Sequence, residues 1–186
     1  MEITQRLKEI VLNETNITIQ DLNAIAISKG PGSYTGLRIG VSSAKGLCYA
    51  LDIPLIAIDT LTILSNQIEI ENGLIIPMID ARRMEVYSAV FNSDGKKIRN
   101  VEAEILTEDS YKSYDEMLHF IGDSNEKAKT VLTSSNFVFH DSVVFPSANE
   151  MSILSYKKYQ INDFEDVAYF EPYYLKDFFI TSKKTI

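Results

Sequence analysis

The sequence predicts an α/β fold in two lobes, and three features carry that expectation. The apolar run Ala24-Ile25-Ala26-Ile27 passes through the turn Gly30-Pro31-Gly32 into a nearly uncharged stretch from Tyr34 to Leu51. A second apolar run, Leu55–Ile58, follows at once, which is the strand–helix–strand pattern of a parallel pair. After Gly73 three short strand-like runs succeed one another, the pattern of an antiparallel meander.

Taken in order, residues 2–13 read as an amphipathic helix, with Ile3, Leu7, Ile10 and Val11 at one-face spacing. Residues 24–27 form a buried strand. Glycines and proline then force a turn, and Ser33 stands where a hydroxyl caps the helix Tyr34–Leu51. The strand Leu55–Ile58 precedes a helix over residues 61–69, capped by Asp59 or Thr60. Strands over 74–79, 85–91 and 97–105 are joined by Ala81-Arg82-Arg83 and Ser93-Asp94-Gly95. A strand at 137–139 and a helix over 147–159 follow, and the tail 169–179 holds six aromatic residues that pack it onto the body. The boundary near Gly73 divides the chain into lobes 1–72 and 73–186.

The helix from Tyr34 is the most discriminating element. Gly36, Gly40 and Gly46 each cost about 1 kcal/mol relative to alanine inside a helix. Leu37, Val41, Ala44, Cys48 and Leu51 form one apolar stripe, and beside it lie Gly36, Gly40, Ser43, Leu47 and Ala50. So broad an uncharged arc predicts burial against a sheet and also against a second helix, of this chain or of a partner. The turn before it lacks the spacing of a dinucleotide fingerprint or a P-loop, with Thr35, Leu37 and Arg38 where those motifs need other residues.

The run Lys29-Gly-Pro-Gly-Ser-Tyr-Thr-Gly-Leu-Arg-Ile-Gly40, continued by Ala44-Lys45-Gly46-Leu47 and Asp52-Ile-Pro-Leu55, closely resembles the bacterial TsaB (YeaZ) family. Pro77-Met-Ile-Asp-Ala-Arg-Arg-Met-Glu-Val-Tyr87, Ile121-Gly-Asp-Ser124, Pro146-Ser-Ala148 and Glu171-Pro-Tyr-Tyr-Leu-Lys176 are also similar to it. The resemblance implies the actin-like ATPase (ribonuclease H-like) two-lobed fold. Members of the family open with strands and an Asp-Thr-Ser/Thr motif, whereas this sequence opens in a helix, so the first lobe is expected to be truncated at its N-terminus.

The same resemblance implies a non-catalytic scaffold subunit of the machinery that makes threonylcarbamoyladenosine at tRNA adenosine 37. Its main partner would be the catalytic paralogue TsaD, with the ATPase TsaE acting alongside. A second copy of the chain would use the same helices when the partner is absent. The expected docking face comprises Leu7, Val11, Gly36, Ile39, Gly40, Ser43, Leu47 and Ala50, with residues 2–13 and Tyr34–Leu51 side by side. Gly30, Gly32, Ser33, Asp80 and Arg82 are expected as vestigial nucleotide contacts, with ATP and magnesium at the complex interface and no other cofactor. Asp80 beside Arg82 and Arg83 suits a metal or phosphate contact; its plainer alternative is a hairpin turn in which Asp80 pairs with an arginine. The rival from another class is an independent ATP-binding enzyme of the same fold, a kinase or hydrolase.

Composition agrees with a cytoplasmic globular protein. With 26 acidic against 18 basic residues the net charge is −8, whereas a chain gripping RNA by itself needs a basic face. Any tRNA contact is therefore indirect. The pairs at Lys96-Lys97, Lys157-Lys158 and Lys183-Lys184 read as solvated surface. No apolar run reaches the roughly 20 residues that cross a bilayer, and the opening residues lack a signal-peptide pattern. Cys48, the single cysteine, falls on the helix stripe as a core residue. His119 and His140 have no metal-ligand neighbours at useful spacing. The contiguous His140-Asp141-Ser142 cannot act as a relay on one strand, because adjacent side chains point to opposite faces.

Overall fold

The computed structural model describes residues 2–175, with side chains from Glu9 onward. Helix α1 (Glu2–Thr15) ends in a Schellman-type turn: Asn16 is left-handed at φ 54°, and the Ile17 N–H reaches the Leu12 carbonyl at 3.2 Å. Strand β1 (Ile25–Ser28) pairs in parallel with β2 (Leu55–Ile58), Ile25 opposite Leu55. β1 starts one residue later than expected. It is half-buried rather than buried, because among the described residues β2 is the one strand it pairs with.

Helix α2 (Tyr34–Leu51) joins the two strands. Ser33 accepts from the Gly36 N–H at 3.3 Å at its start, and Asp52 ends it in a left-handed conformation. Val41, Ala44 and Cys48 are buried, as their spacing predicts; Ala44 and Cys48 pack on Ile25, Ile27 and Leu55. The opposite face of the pair is covered by α5 (Ala148–Gln160), whose Met151 and Leu154 meet Ile56 and Ile58. The result is a three-layer α/β/α lobe.

Helix α3 (Thr60–Ser65) is capped by Asp59, which accepts from the Thr62 N–H at 3.0 Å. It stops at Ser65, not at residue 69, and Asn66 turns its side-chain amide onto the Thr62 carbonyl at 2.8 Å; such local bonding competes with helix continuation. Ile63 packs on the first sheet, while Leu61 and Leu64 pack on Ile75, Phe91 and Ile121 of the second. α3 is therefore the shared layer between the lobes.

The second sheet has the order β5-β4-β3-β6-β7. β3 (Leu74–Asp80), β4 (Glu85–Asn92) and β5 (Lys97–Ile105) form the expected meander. β6 (Leu118–Gly122) and β7 (Phe137–Phe139) add in parallel on the other side of β3. Side chains alternate along β3: Leu74, Ile76 and Met78 face one core with Phe120, while Ile75 and Ile79 face α3. β6 and the short α4 (Asn125–Ala128) are separate elements that sequence periodicity does not predict. Gly122 closes β6 at φ 117°, where a Cβ would strike the Met78 carbonyl, so only glycine fits. The half-buried Arg99 and Glu104 join the buried Ser88 and Tyr111 in one network, with Arg99 2.7 Å from Glu104 and the Tyr111 hydroxyl 2.5 Å from the same carboxylate.

Residue 72 lies between the two sheets, and among the described residues the segment after it does not stay on the second sheet. α5 returns to the first sheet, and the Glu165 N–H then bonds the Leu55 carbonyl at 2.8 Å. The tail is anchored by Phe170, which joins the Ala44–Cys48 cluster, whereas Tyr169 is solvent-exposed. Phe178 and Phe179 lie outside the described residues.

Candidate functional site

Two surfaces emerge, and the first is the cleft between the lobes. Its cavity measures about 600 Å³ and is lined by Pro31–Thr35, the end of β3 with Arg82, and Tyr87, Asp123 and Tyr173–Leu175. Four of the five expected nucleotide-contact residues, Gly32, Ser33, Asp80 and Arg82, meet here from both lobes. Gly30 does not line it; it is buried behind, with φ 114°, and a Cβ there would lie 2.7 Å from the Tyr173 carbonyl oxygen. Glycine is thus demanded at Gly30, where the backbone is left-handed and the tail crosses. At Gly32 a Cβ would meet open space.

The tail is part of the site, which spacing did not suggest. The Tyr173 N–H donates to the Lys29 carbonyl at 2.7 Å, and the Tyr174 ring lies 4.9 Å from that of Tyr34. Lys45 fastens the approach by donating to the carbonyls of Ala168 and Phe170 at 3.1 and 2.9 Å. The guanidinium of Arg38 sits 5.1 Å from the centre of the Tyr34 ring, within cation–π range.

Asp80 does not pair with an arginine side chain. Its carboxylate accepts from the Lys127 ammonium and from the Arg82 backbone N–H, the latter at 3.0 Å, while its own N–H donates to Asp123 Oδ1 at 2.8 Å. Partial burial pulls this carboxyl upward, but the Lys127 ammonium and the Arg82 N–H outweigh it and hold it below the ordinary carboxylate value. Lys127 also donates to the carbonyls of Arg83 and Glu85 at 3.1 and 2.6 Å. It thereby pins a turn whose residues Arg82 and Arg83 are both left-handed, at φ 73° and 52°. Non-glycine residues held so are strained by the structure around them.

An ATP–magnesium complex fits this lining poorly. Asp80 is already neutralised, Asp123 is engaged by the Asp80 N–H, and among the described residues Arg82 is the cation on the wall. Among the described residues no three His, Cys, Asp or Glu side chains are grouped to hold a metal ion.

The second surface is the outer side of α2. Ile39 is 46% exposed and Tyr49 86%, and Gly36, Gly46 and Ala50 are open beside them. Ser43 and Leu47 are half-buried. Gly40 faces inward, its missing side chain directed at Ile27 of β1. On α1, Ile10 and Val11 are exposed, and the stripe Val41–Ala44–Cys48 of α2 is covered by the sheet. The side chain of Leu7 lies outside the described residues.

His119 and His140 do meet, with Nδ1 of the first 2.9 Å from Nε2 of the second. Asp141 turns away to Lys129 and Asn125, so no hydrolase relay forms around them. Cross-strand adjacency of β6 and β7 produces this pair, and spacing alone did not reveal it.

Two lobes around an interlobe cleft, sharing one helical layer, are the architecture of the actin-like ATPase class. The family model described as "TsaD: tRNA N6-adenosine threonylcarbamoyltransferase" matches residues 1–178. A Bacillus subtilis protein described as tRNA threonylcarbamoyladenosine biosynthesis protein TsaB is 33% identical over 157 residues, which is 80% of this chain and 69% of that protein. The Escherichia coli protein of the same description is 30% identical over 189 residues, 95% of this chain and 81% of its own length. The solved structure of YeaZ from Pseudomonas aeruginosa superposes with a TM-score of 0.75 at 25% identity, over 92% of this chain and 84% of that one. The chain belongs to the TsaB (YeaZ) family.

Proposed function

We propose that this chain is a non-catalytic scaffold in tRNA threonylcarbamoyladenosine synthesis, docking the transferase TsaD through the outer side of α2. The observation that carries the proposal is that outer side: an 18-residue helix with exposed Ile39 and Tyr49 beside glycine and alanine, and no acidic residue from Tyr34 to Leu51. Exposed apolar patches of this kind mark interaction surfaces, and small residues allow a facing helix to approach closely. The relatives' description supplies the pathway. The acidic net charge of −8 disfavours direct grip on RNA, so tRNA is met by the partner. TsaE is a further associate of that assembly, in the cytoplasm, and a second copy of this chain takes the same helix face when TsaD is absent. Among the described residues no helix is long and apolar enough to cross a membrane.

The neutralised Asp80 supports scaffold over enzyme, since a carboxylate tied to an ammonium is poorly placed to hold a catalytic metal or take a proton. Hydrogen exchange on the chain with and without TsaD tests the docking face. Protection concentrated on residues 36–50 is expected; protection confined to the second lobe would overturn the assignment.

A further inference from the structure

We propose that the interlobe cleft takes an uncharged aromatic heterocycle of nucleoside size, and that polyphosphates are not favoured there. The cavity of about 600 Å³ falls inside the range of roughly 300–1,000 Å³ that holds small organic ligands. Its walls are aromatic and hydroxylic: Tyr34, Tyr87, Tyr173 and Tyr174, with Ser33 and Thr35 from the start of α2. Tyr173 and Tyr174, 45% and 37% exposed, offer ring surface to a flat heterocycle, and a hydroxyl can both donate to and accept from its polar edge.

The charges on the lining argue against phosphate. Asp80 and Asp123 both face the cavity. Lys127, the ammonium paired with Asp80, is spent on it and on the carbonyls of Arg83 and Glu85. That leaves Arg82 as the lining cation among the described residues; with Asp80 and Lys127 cancelling each other, one guanidinium facing Asp123 creates no basin for a polyanion. The aromatic wall is also preset. The Tyr173 N–H on the Lys29 carbonyl at 2.7 Å and the Tyr34–Tyr174 contact hold the tail across the cleft, so little ordering is left for the ligand to impose.

Calorimetric titration of the full chain with adenosine, and separately with ATP and magnesium, tests this. Adenosine should bind, with ATP no more than about threefold tighter. Tyr174→Ala should weaken adenosine by about fivefold or more, the loss of one stacking surface. Thr35→Trp, which fills the cavity from an exposed helical position, should abolish binding and serves if the Tyr174 variant fails to fold. The proposal is overturned if adenosine does not bind at about 10 mM, an affinity too weak to matter. It is equally overturned if ATP binds tighter than stated, or if folded Tyr174→Ala and Thr35→Trp leave adenosine binding intact. TsaD is absent from the experiment, so failure here leaves the docking proposal standing.

Discussion

Gly40 on α2 faces Ile27 on β1: a Cβ built on the glycine would lie 3.3 Å from the isoleucine Cδ1. The glycine therefore serves the internal contact between helix and strand, not the outer docking side. Gly40→Leu should destabilise the isolated chain by about 1–3 kcal/mol through overpacking, as read by chemical denaturation. Ile39→Glu, one residue back and pointing outward, should change stability by no more than about 0.5 kcal/mol.

Gly46 gives the opposite expectation. A Cβ there meets open space within the helix, so Gly46→Ala should stabilise the free chain by about 1 kcal/mol through helix propensity alone. Denaturation midpoints of the two proteins check it.

Much of the first lobe is visible in the sequence because its signals are local. The Ser33 cap, the stripe Val41–Ala44–Cys48 and the apolar run Leu55–Ile58 each lie within one element. The outer face of α2 was harder. Gly36, Gly40 and Leu47 adjoin the buried stripe on a helical wheel, and a rotation of tens of degrees decides which of them meets the sheet. β6 is silent in the sequence because five residues between polar turns carry little periodicity. The candidate cleft was half legible: the residue types around Gly30 and Asp80 were apparent, but Lys127 and Tyr173 reach them from 47 and 144 positions away. Such partners are set by topology, not by spacing.

The Arg99–Glu104 pair, both side chains about one-fifth exposed, should matter more than a surface ion pair. Glu104→Gln leaves the guanidinium with the exposed Glu102, 3.8 Å away, as its remaining carboxylate among the described residues and should cost about 3 kcal/mol. Burial pushes the Glu104 carboxyl up, but bonds from Arg99, Ser88 and Tyr111 bring it below its ordinary value. A carboxyl depressed in the folded state contributes stability above its unfolded pKa of about 4.3, lost as pH falls further through the folded value. Denaturation at a series of pH values below 5 should therefore show a shallower fall for Glu104→Gln than for the parent.

His119 gives a second pH dependence, at higher pH. Burial and the facing His140 ring lower its pKa, so the unfolded chain binds the proton more readily and stability rises with pH. The contribution is complete above the unfolded value of about 6.5 and is lost as pH drops below it. His119→Gln should flatten the melting-temperature profile between about pH 7 and pH 5; an unchanged slope would show that the imidazole pair does not couple to folding.

The most direct measurement is the affinity of TsaD for the parent chain and for the double variant Ile39→Glu/Ala50→Arg, both confirmed as folded. Charge placed on two exposed positions of one helical face should weaken binding by about thirtyfold or more, as expected when an interface centre is lost. An affinity unchanged within about threefold would contradict the claim that the outer side of α2 is where the partner docks.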